Sequence, residues 1–459
     1  MAEARSRWPL VSAPTNRDAT VAKDARLING FLERDDLGEL WVVKRPGYFL
    51  ATQGAAGTGR GLYNNIGNIY HISGTKLYNN GVEKGTLTSN GDPFVFTETN
   101  YTSAFFIKND TNAYVYDGLN TVTAVADADY PATTAYGAVH LDGTTYVMDT
   151  DGNVRGSAID NPTSWDPLNT ISAQNEAGAG IAVAKLLSFV VALKAYSVQF
   201  FYNAGNATGS PLSRYDGPNM TVGCRNALTV QSDEDKLFWV AQSRAGGPMV
   251  WILDKLQPSK ISTPAIDRLL TGTNSFSARS FLLRYNGHLL YGIRIPASSR
   301  NVTVVYDYEL KLWYEWTGTD GLSWPIVNAT GNGTYNIVQH ATDGATYTVA
   351  DTNYTDGGAL FAWELYTPNY DGGVRVRKVL HRIDFGGDQV SGSLLQVRHN
   401  DHDYAANKWS AFRTVDLGVQ LPFLKDEGTF YRRAYHLYHK RATALRLQFL
   451  ELDIAPGYF

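Results

Sequence analysis

The feature that most constrains this chain is a recurrence of short β-forming runs, each shut off by a turn signal. Ile69-Tyr-His-Ile ends at Ser73-Gly, Ala113-Tyr-Val-Tyr at Asp117-Gly, and Thr144-Thr-Tyr-Val-Met before Asp151-Gly. Later runs include Leu237-Phe-Trp-Val-Ala, Met249-Val-Trp-Ile-Leu, His288-Leu-Leu-Tyr-Gly-Ile, Val302-Thr-Val-Val-Tyr-Asp and Ala345-Thr-Tyr-Thr-Val. The runs fall into groups around residues 66–78, 103–116, 136–148, 186–202, 226–253, 278–313 and 334–349, on the order of 40 residues apart, the period of four-stranded propeller blades. One such small sheet cannot cover both of its faces. Packing several around an axis does, and leaves only short edges. The expected fold is therefore all-β, a β-propeller-like array of short antiparallel sheets with an additional C-terminal β module. A two-sheet sandwich array is the alternative.

Composition agrees. The 459 residues hold 43 Gly and 28 Tyr against 4 Met, and 18% are charged, which excludes a disordered or coiled-coil chain. A net charge of -4 excludes a basic nucleic-acid binder at the level of the whole chain. The single cysteine, Cys224, permits no intrachain disulfide, and the expected folding compartment is a reducing cytoplasm. Met1 to Pro14 lacks the apolar segment of a signal peptide. The longest apolar candidate, residues 181–201, is broken by Lys185, Lys194 and Gln199, so no membrane span is expected.

Two departures from strand are expected: a short helix at Pro264-Ala-Ile-Asp-Arg-Leu-Leu, with Thr263 as N-cap and Gly272 beyond its end, and a turn near Tyr431-Arg-Arg-Ala-Tyr. Around Gly372-Gly373 the composition shifts. Residues 375–459 carry 13 Lys/Arg against 9 Asp/Glu, a net of +4, so the first 374 residues carry -8. The expected organisation is an N-terminal arm and first strand over 1–40, a propeller body over 41–374 and a C-terminal β-rich module over 375–459. The polar segment before Gly38 reads as an arm that orders on assembly.

The sequence holds no catalytic signature: no GxxxxGK[ST], no HExxH, no GxSxG and no CxxC. Gln53-Gly-Ala-Ala-Gly-Thr-Gly-Arg-Gly looks like a phosphate loop but leads into strand-like Leu62-Tyr, which favours a plain loop. Asp149-Thr-Asp151-Gly-Asn153 has oxygens at alternate positions, as calcium loops do. It lacks their glycine and closing glutamate, and reads as a hairpin turn. His399-Asn-Asp401-His402-Asp403 could hold a divalent ion or be a polar hairpin tip, and Cys224 has no positioned base beside it. The Trp313-Tyr-Glu-Trp316 cluster could stack a sugar or base, and packing between blades is preferred. The Tyr431–Arg441 stretch interleaves basic and aromatic residues, which suits nucleic-acid phosphates or an acidic protein partner as well as a solvated strand face. No catalytic, cofactor or metal residues are expected.

Several stretches in order along nearly the whole chain resemble the packaged-DNA stabilisation proteins of short-tailed bacteriophages, the tail hub or nozzle proteins. They begin with Asp24-Ala-Arg-Leu-Ile-Asn29-Gly-Phe-Leu-Glu33 and Lys44-Arg45-Pro46-Gly47, then Ile159-Asp-Asn-Pro-Thr-Ser-Trp165-Asp-Pro-Leu and Gln199-Phe-Phe-Tyr202-Asn-Ala-Gly205. Gly223-Cys224, Ile261-Ser-Thr-Pro-Ala-Ile266, Asn286-Gly287-His288, and Tyr306-Asp307 followed by Trp313 come next, and Trp409-Ser and Arg432–Arg441 resemble the family's closing module. Tyr438 stands where the family often has glycine. The resemblance implies a non-enzymatic virion component of a podovirus: a homohexamer below the portal and its adaptor, assembled in the host cytoplasm. It would extend the DNA channel, touch genomic double-stranded DNA in passing, retain that DNA before ejection, and anchor the tail needle and tailspike or fibre. Trp8, Arg45, Trp165, Arg432 and Arg433 are nominated as interface or lumen contacts. The competing reading is a glycan- or receptor-binding propeller, with a glycan hydrolase behind it.

Overall fold

The computed structural model describes residues 4–8, 10, 25–101, 103–272, 274–296, 301–331 and 335–456. Among them are forty-one strands, two short α-helices and two 3₁₀ turns, an all-β protein. No helix among the described residues is long and apolar enough to cross a membrane. The chain divides into two compact units.

The unit of residues 50–297 and 325–348 is a β-propeller. Its sheets are small and antiparallel, and four of them have simple meander order: Gly59–Asn65 to Val82–Thr86, Val95–Glu98 to Val122–Ala124, Val139–Leu141 to Asn161–Ser172, and Gly180–Leu186 to Leu212–Met220. A five-stranded sheet spans Gly223–Cys224 to Gln257–Lys260. Another runs Ile326–Gly331, Asn336–His340, Thr346–Ala350, Gly47–Thr52. The hairpin Arg279–Tyr285 and His288–Ile295 fills the interval between these two, turning at Asn286-Gly287.

One strand of each lies innermost. Gly59–Asn65, Val95–Glu98, Val139–Leu141, Gly180–Leu186, Gln231–Asp233, Arg279–Tyr285 and Ile326–Gly331 each pack beside the next, and the last returns to the first. Each of the seven groups legible in the sequence contributes strands beside one of these positions, except that the second half of the 278–313 group, Val302–Asp307 and Leu312–Trp316, belongs to the other unit. Closure joins residues 294 apart in sequence, where the Thr52 and Thr346 hydroxyls lie 2.7 Å apart.

Side chains of neighbouring sheets fill the spaces between them. Ile72, Leu77, Phe105 and Tyr116 pack the first gap, Phe106, Val147 and Trp165 the second, and Met148, Val154, Val190 and Phe201 the third. Leu186, Val191, Phe200, Leu237 and Trp239 pack the fourth. Each such side chain, fully buried, contributes roughly 1.5–3 kcal/mol. Asp149 Oδ1 accepts the Asp151 and Asn153 amides at 3.0 and 2.9 Å, so the calcium-like segment is a hairpin turn, as expected.

The unit of residues 1–49, 298–324 and 349–459 is built on two larger sheets. One holds Gly30–Arg34, Leu40–Lys44, Arg446–Pro456, Lys378–Gly387 and Phe423–Lys425 in that order, with Ala4–Trp8 paired to Arg446–Pro456. The other runs Val302–Asp307, Leu312–Trp316, Arg26–Ile28, Trp363–Tyr366, Ala434–His439, Leu394–Asn400, Arg413–Asp416. Of the described residues before Gly38, Ala4–Trp8, Arg26–Ile28 and Gly30–Arg34 are built into sheets, and Trp8 packs edge-on against Tyr370 and Tyr435 at 5.1 and 5.3 Å.

The helix at Pro264–Leu269 forms as the sequence predicts, although the Thr263 side chain makes no capping bond. The turn expected at Tyr431-Arg-Arg-Ala-Tyr is confined to its start. Tyr431 and Arg432 bend, and Ala434 already begins a strand paired to Trp363–Tyr366 and Leu394–Asn400.

The polar centre of this unit is Arg45, which has no exposed surface. Its Nη atoms grip Asp356 at 2.9 and 2.6 Å, Nε donates to Asn29 Oδ1 at 2.9 Å, and the Pro46 and Thr317 carbonyls accept at 2.9 and 3.0 Å. The Phe361 ring lies 3.8 Å from its Cζ. Asn29 in turn donates to Thr317 Oγ1 and the Ala362 carbonyl. All five guanidinium N–H groups are used, so a lysine with three donors and no planar fork cannot replace it. Arg45→Met should lower unfolding free energy by about 3–5 kcal/mol, read from urea denaturation. Arg45→Lys should recover only part of that loss, and a lysine variant as stable as the parent would show that charge alone holds the site.

Two buried histidines set an acid limit. Burial pushes His71 in the propeller down to about 4. In the other unit, burial and then the Lys44 and Arg441 charges push His439 to about 3. An unfolded imidazole takes its proton near pH 6.5, so the stabilisation is complete above that pH and is lost as pH falls, by about 2 kcal/mol per ring at pH 5. Urea midpoints near pH 7.5 and pH 5 should therefore differ clearly, and His71→Phe should reduce the difference. Equal midpoints would refute the assignment.

Candidate functional site

A cavity of about 360 Å³ opens where the inner strands of the propeller converge, lined by Tyr63, Phe96, Glu98, Tyr136, Lys185 and Asn328 among others. The approach of two strands here depends on glycine. Gly137 has φ +93°, and a Cβ on it would meet the Val183 carbonyl oxygen at 1.9 Å. That closeness lets Val183 N donate to Tyr136 O at 2.8 Å. Gly59 acts similarly, with a Cβ position 2.4 Å from the His340 carbonyl, so the glycine-rich 53–61 segment serves close packing.

Lys185 Nζ and Glu98 Oε1 pair at 2.9 Å, both substantially exposed. Burial, with Glu98's charge behind it, raises the Tyr63 phenol to about 12, and burial also raises Tyr136. At neutral pH these phenols are hydrogen-bonding groups and not bases. A second cavity, of about 660 Å³, lies along Ser232, Leu282, Tyr285, His288 and Tyr335, beside the Arg284–Asp233 ion pair. Cys224 is fully buried, and burial pushes its thiol up to about 12, leaving it protonated and unreactive.

In the other unit, Glu364, His436 and Arg398 form a constellation that resembles acid–base machinery. His436 Nε2 meets Glu364 Oε2 at 2.9 Å, while Arg398 Nε donates to His436 Nδ1 at 2.9 Å. Burial lowers the imidazole's proton affinity, only partly offset by Glu364. Both ring nitrogens are engaged, so neither can take a substrate proton. The Tyr366 ring stacks on the imidazole at 4.0 Å, and the cluster ties Trp363–Tyr366 to Ala434–His439 and Leu394–Asn400.

The histidine-rich tip is absorbed in the same way. Asp401 takes Arg433 through two bonds of 2.7 and 2.9 Å, and His399 Nδ1 lies 3.3 Å from Glu427. Burial alone would raise the Glu427 carboxyl, but His399, Arg413 and Arg433 outweigh it and hold it low. No group of three His, Cys, Asp or Glu suited to a metal ion occurs among the described residues. Trp313, Tyr314 and Trp316 are buried, as a core reading expects, but in the unit outside the propeller and not between its blades.

Of the five nominated contacts, Trp8, Arg45 and Arg433 are buried within one unit and Trp165 within the propeller. Trp165 Nε1 donates to the Pro162 carbonyl at 3.1 Å, and its ring meets Tyr130 edge-on at 5.0 Å. Arg432 alone of the five has a half-exposed side chain, 3.4 Å from Asp403. Sequence reasoning missed three arginines within the propeller, Arg60, Arg279 and Arg294. A signal for two of them existed: a turn centred on Asn286-Gly287 fixes a register that sets Arg279 opposite Arg294.

A model of the phage stabilisation family, described as bacteriophage P22 Gp10, β-propeller, matches residues 32–357. No curated protein sequence matches the chain. Among solved structures, the computationally designed Ika8 protein is similar at 14% identity and a TM-score of 0.40, over 72% of this chain and 97% of that one. The N-terminal domain of Nup159 follows at 10% and 0.39, over 70% and 98%, and BamB from Moraxella catarrhalis at 11% and 0.34, over 76% and 96%. None of the three is close enough to carry functional weight. With the family match covering most of the chain and a β-propeller within it, the chain belongs to the phage packaged-DNA stabilisation family of P22 Gp10 and is a structural protein of a bacteriophage tail.

Proposed function

We propose that the protein is the tail nozzle or hub of a short-tailed phage, a homohexamer below the portal and adaptor that extends the DNA channel and retains the packaged genome. It anchors the tail needle and tailspike or fibre, joins the particle in the host cytoplasm, and catalyses nothing. The observation that carries this reading is the family match over residues 32–357. Two further features support it. The polar clusters that could have done chemistry are consumed by internal bonds, as with Glu364, His436 and Arg398. Residues 374–431 also expose large apolar side chains, Leu421 at 70%, Tyr431 at 60% and Val374 at 54% among them, which suits a chain that finishes burying its surface on assembly.

In immunogold electron microscopy of the phage, antibody to the protein should label the tail beneath the head and nothing else. Label absent from both intact and tail-exposed particles would reject the virion role. Leu421→Asp should leave the thermal midpoint within about 2 °C, since the side chain is exposed, and cut incorporation into particles at least tenfold. Normal incorporation would remove this face from the assembly surface.

A further inference from the structure

Inside the propeller, two guanidinium groups face one another across a strand pair with no carboxylate among the described residues paired to either, and the charge of a third, Arg60, reaches one of them. Arg279 opens an innermost strand, and Arg294 is its direct cross-strand partner on His288–Ile295. Side chains directly opposite one another in an antiparallel pair share a face, and like charges placed so repel. Arg60 lies on another innermost strand, Gly59–Asn65. Burial, and after it the charges of Arg294 and Arg60, hold the Arg279 guanidinium below its ordinary value, while Tyr136 acts in the opposite sense. Burial lowers Arg294 as well.

The surroundings do not neutralise the group. Among the described residues no carboxylate forms an ion pair with Arg279 or Arg294. Asp92 acts electrostatically on Arg60, and its own carboxyl is raised by burial and by Asp110. Arg60 Nη1 also donates to the Ser89 hydroxyl. The Nε atoms of Arg60 and Arg294 are fully buried with no hydrogen-bond partner. Elsewhere in this chain buried arginines are forked onto carboxylates, Arg45 on Asp356 and Arg433 on Asp401. These three side chains are only partly buried, but a buried guanidinium N–H left unpaired is costly, and planar guanidinium forks match the oxygens of a phosphate group.

We propose that the cross-strand pair Arg279 and Arg294, with Arg60 adding its charge, forms an oxyanion site inside the propeller that takes a phosphate group. The same chemistry serves inorganic phosphate and the phosphodiester of nucleic acid, and the test separates these sources. The inference does not depend on the nozzle reading.

The full-length protein, in phosphate- and sulfate-free buffer of constant ionic strength, is titrated with inorganic phosphate and separately with a short DNA duplex, following thermal midpoint and calorimetric heat. Phosphate should bind saturably and raise the midpoint, and Arg279→Gln and Arg294→Gln should each weaken it at least tenfold. In phosphate-free buffer both variants should melt no lower than the parent, because each removes one member of a repelling pair. Duplex binding that is lost in the same variants would identify the phosphodiester as occupant, and phosphate binding alone would identify the free ion. If neither variant folds, phosphate should still slow amide exchange across Arg279–Tyr285 in the parent protein. The proposal fails if phosphate and duplex both leave the parent unchanged, if their effects persist in both variants, or if exchange there is unaffected.

Discussion

A strand apolar on both faces has to be covered twice, and the propeller follows from that. Phe105–Lys108 and Thr144–Met148 are buried at every position, and Phe189–Lys194 at all but one, so none of their sheets could stand with one face in water. Stacking the sheets around an axis supplies each face with a neighbour. It also forces the innermost strands together, which is why Gly137 has to lack a side chain. The lysines that end two of these strands are the cost of such burial. Lys108 Nζ donates to the Ala135 carbonyl at 2.8 Å and Lys194 Nζ to the Ala173 carbonyl at 2.8 Å, and burial lowers Lys108 to about 7.

How much of this was legible depended on how local the cause was. The seven β groups were readable because alternation, Asn-Gly and Asp-Gly turns act within a dozen residues. The closing strand Gly47–Thr52 was not, since its partner lies some 294 residues away and nothing in either segment names the other. Composition misled in the Tyr431–Arg441 stretch. Its interleaved charges and rings suggested a surface, yet Arg433, Tyr435, His436 and His439 are buried, each satisfied or surrounded by residues distant in sequence. The same holds for Arg45, whose partners span Asn29 to Asp356.

Comparison of the arginines separates two uses of one side chain. Arg45 and Arg433 spend their donors on internal carboxylates and carbonyls, and both stack on phenylalanine, Phe361 and Phe430. These are clamps, and their removal leaves a buried acid without a partner. Arg279 and Arg294 are partly buried without such an acid. A protein that rests so many strands on exact pairing has no structural use for two cations facing each other. That contrast, more than the charge itself, sets the propeller arginines apart.

Closure also dictates an order of events. Residues 50–52 leave the ribosome first, yet their place in the sheet beside Thr346 exists only after the last inner strands have formed. Pairing across so long a separation gains nothing until the intervening loop has been ordered, so the ring is expected to close late and slowly. Once closed, it opens only by breaking a strand pairing or by parting sheets whose shared faces are filled. For a structural protein of a phage tail, resistance to opening is a useful property. It comes from the same nonlocal contact that the sequence could not reveal.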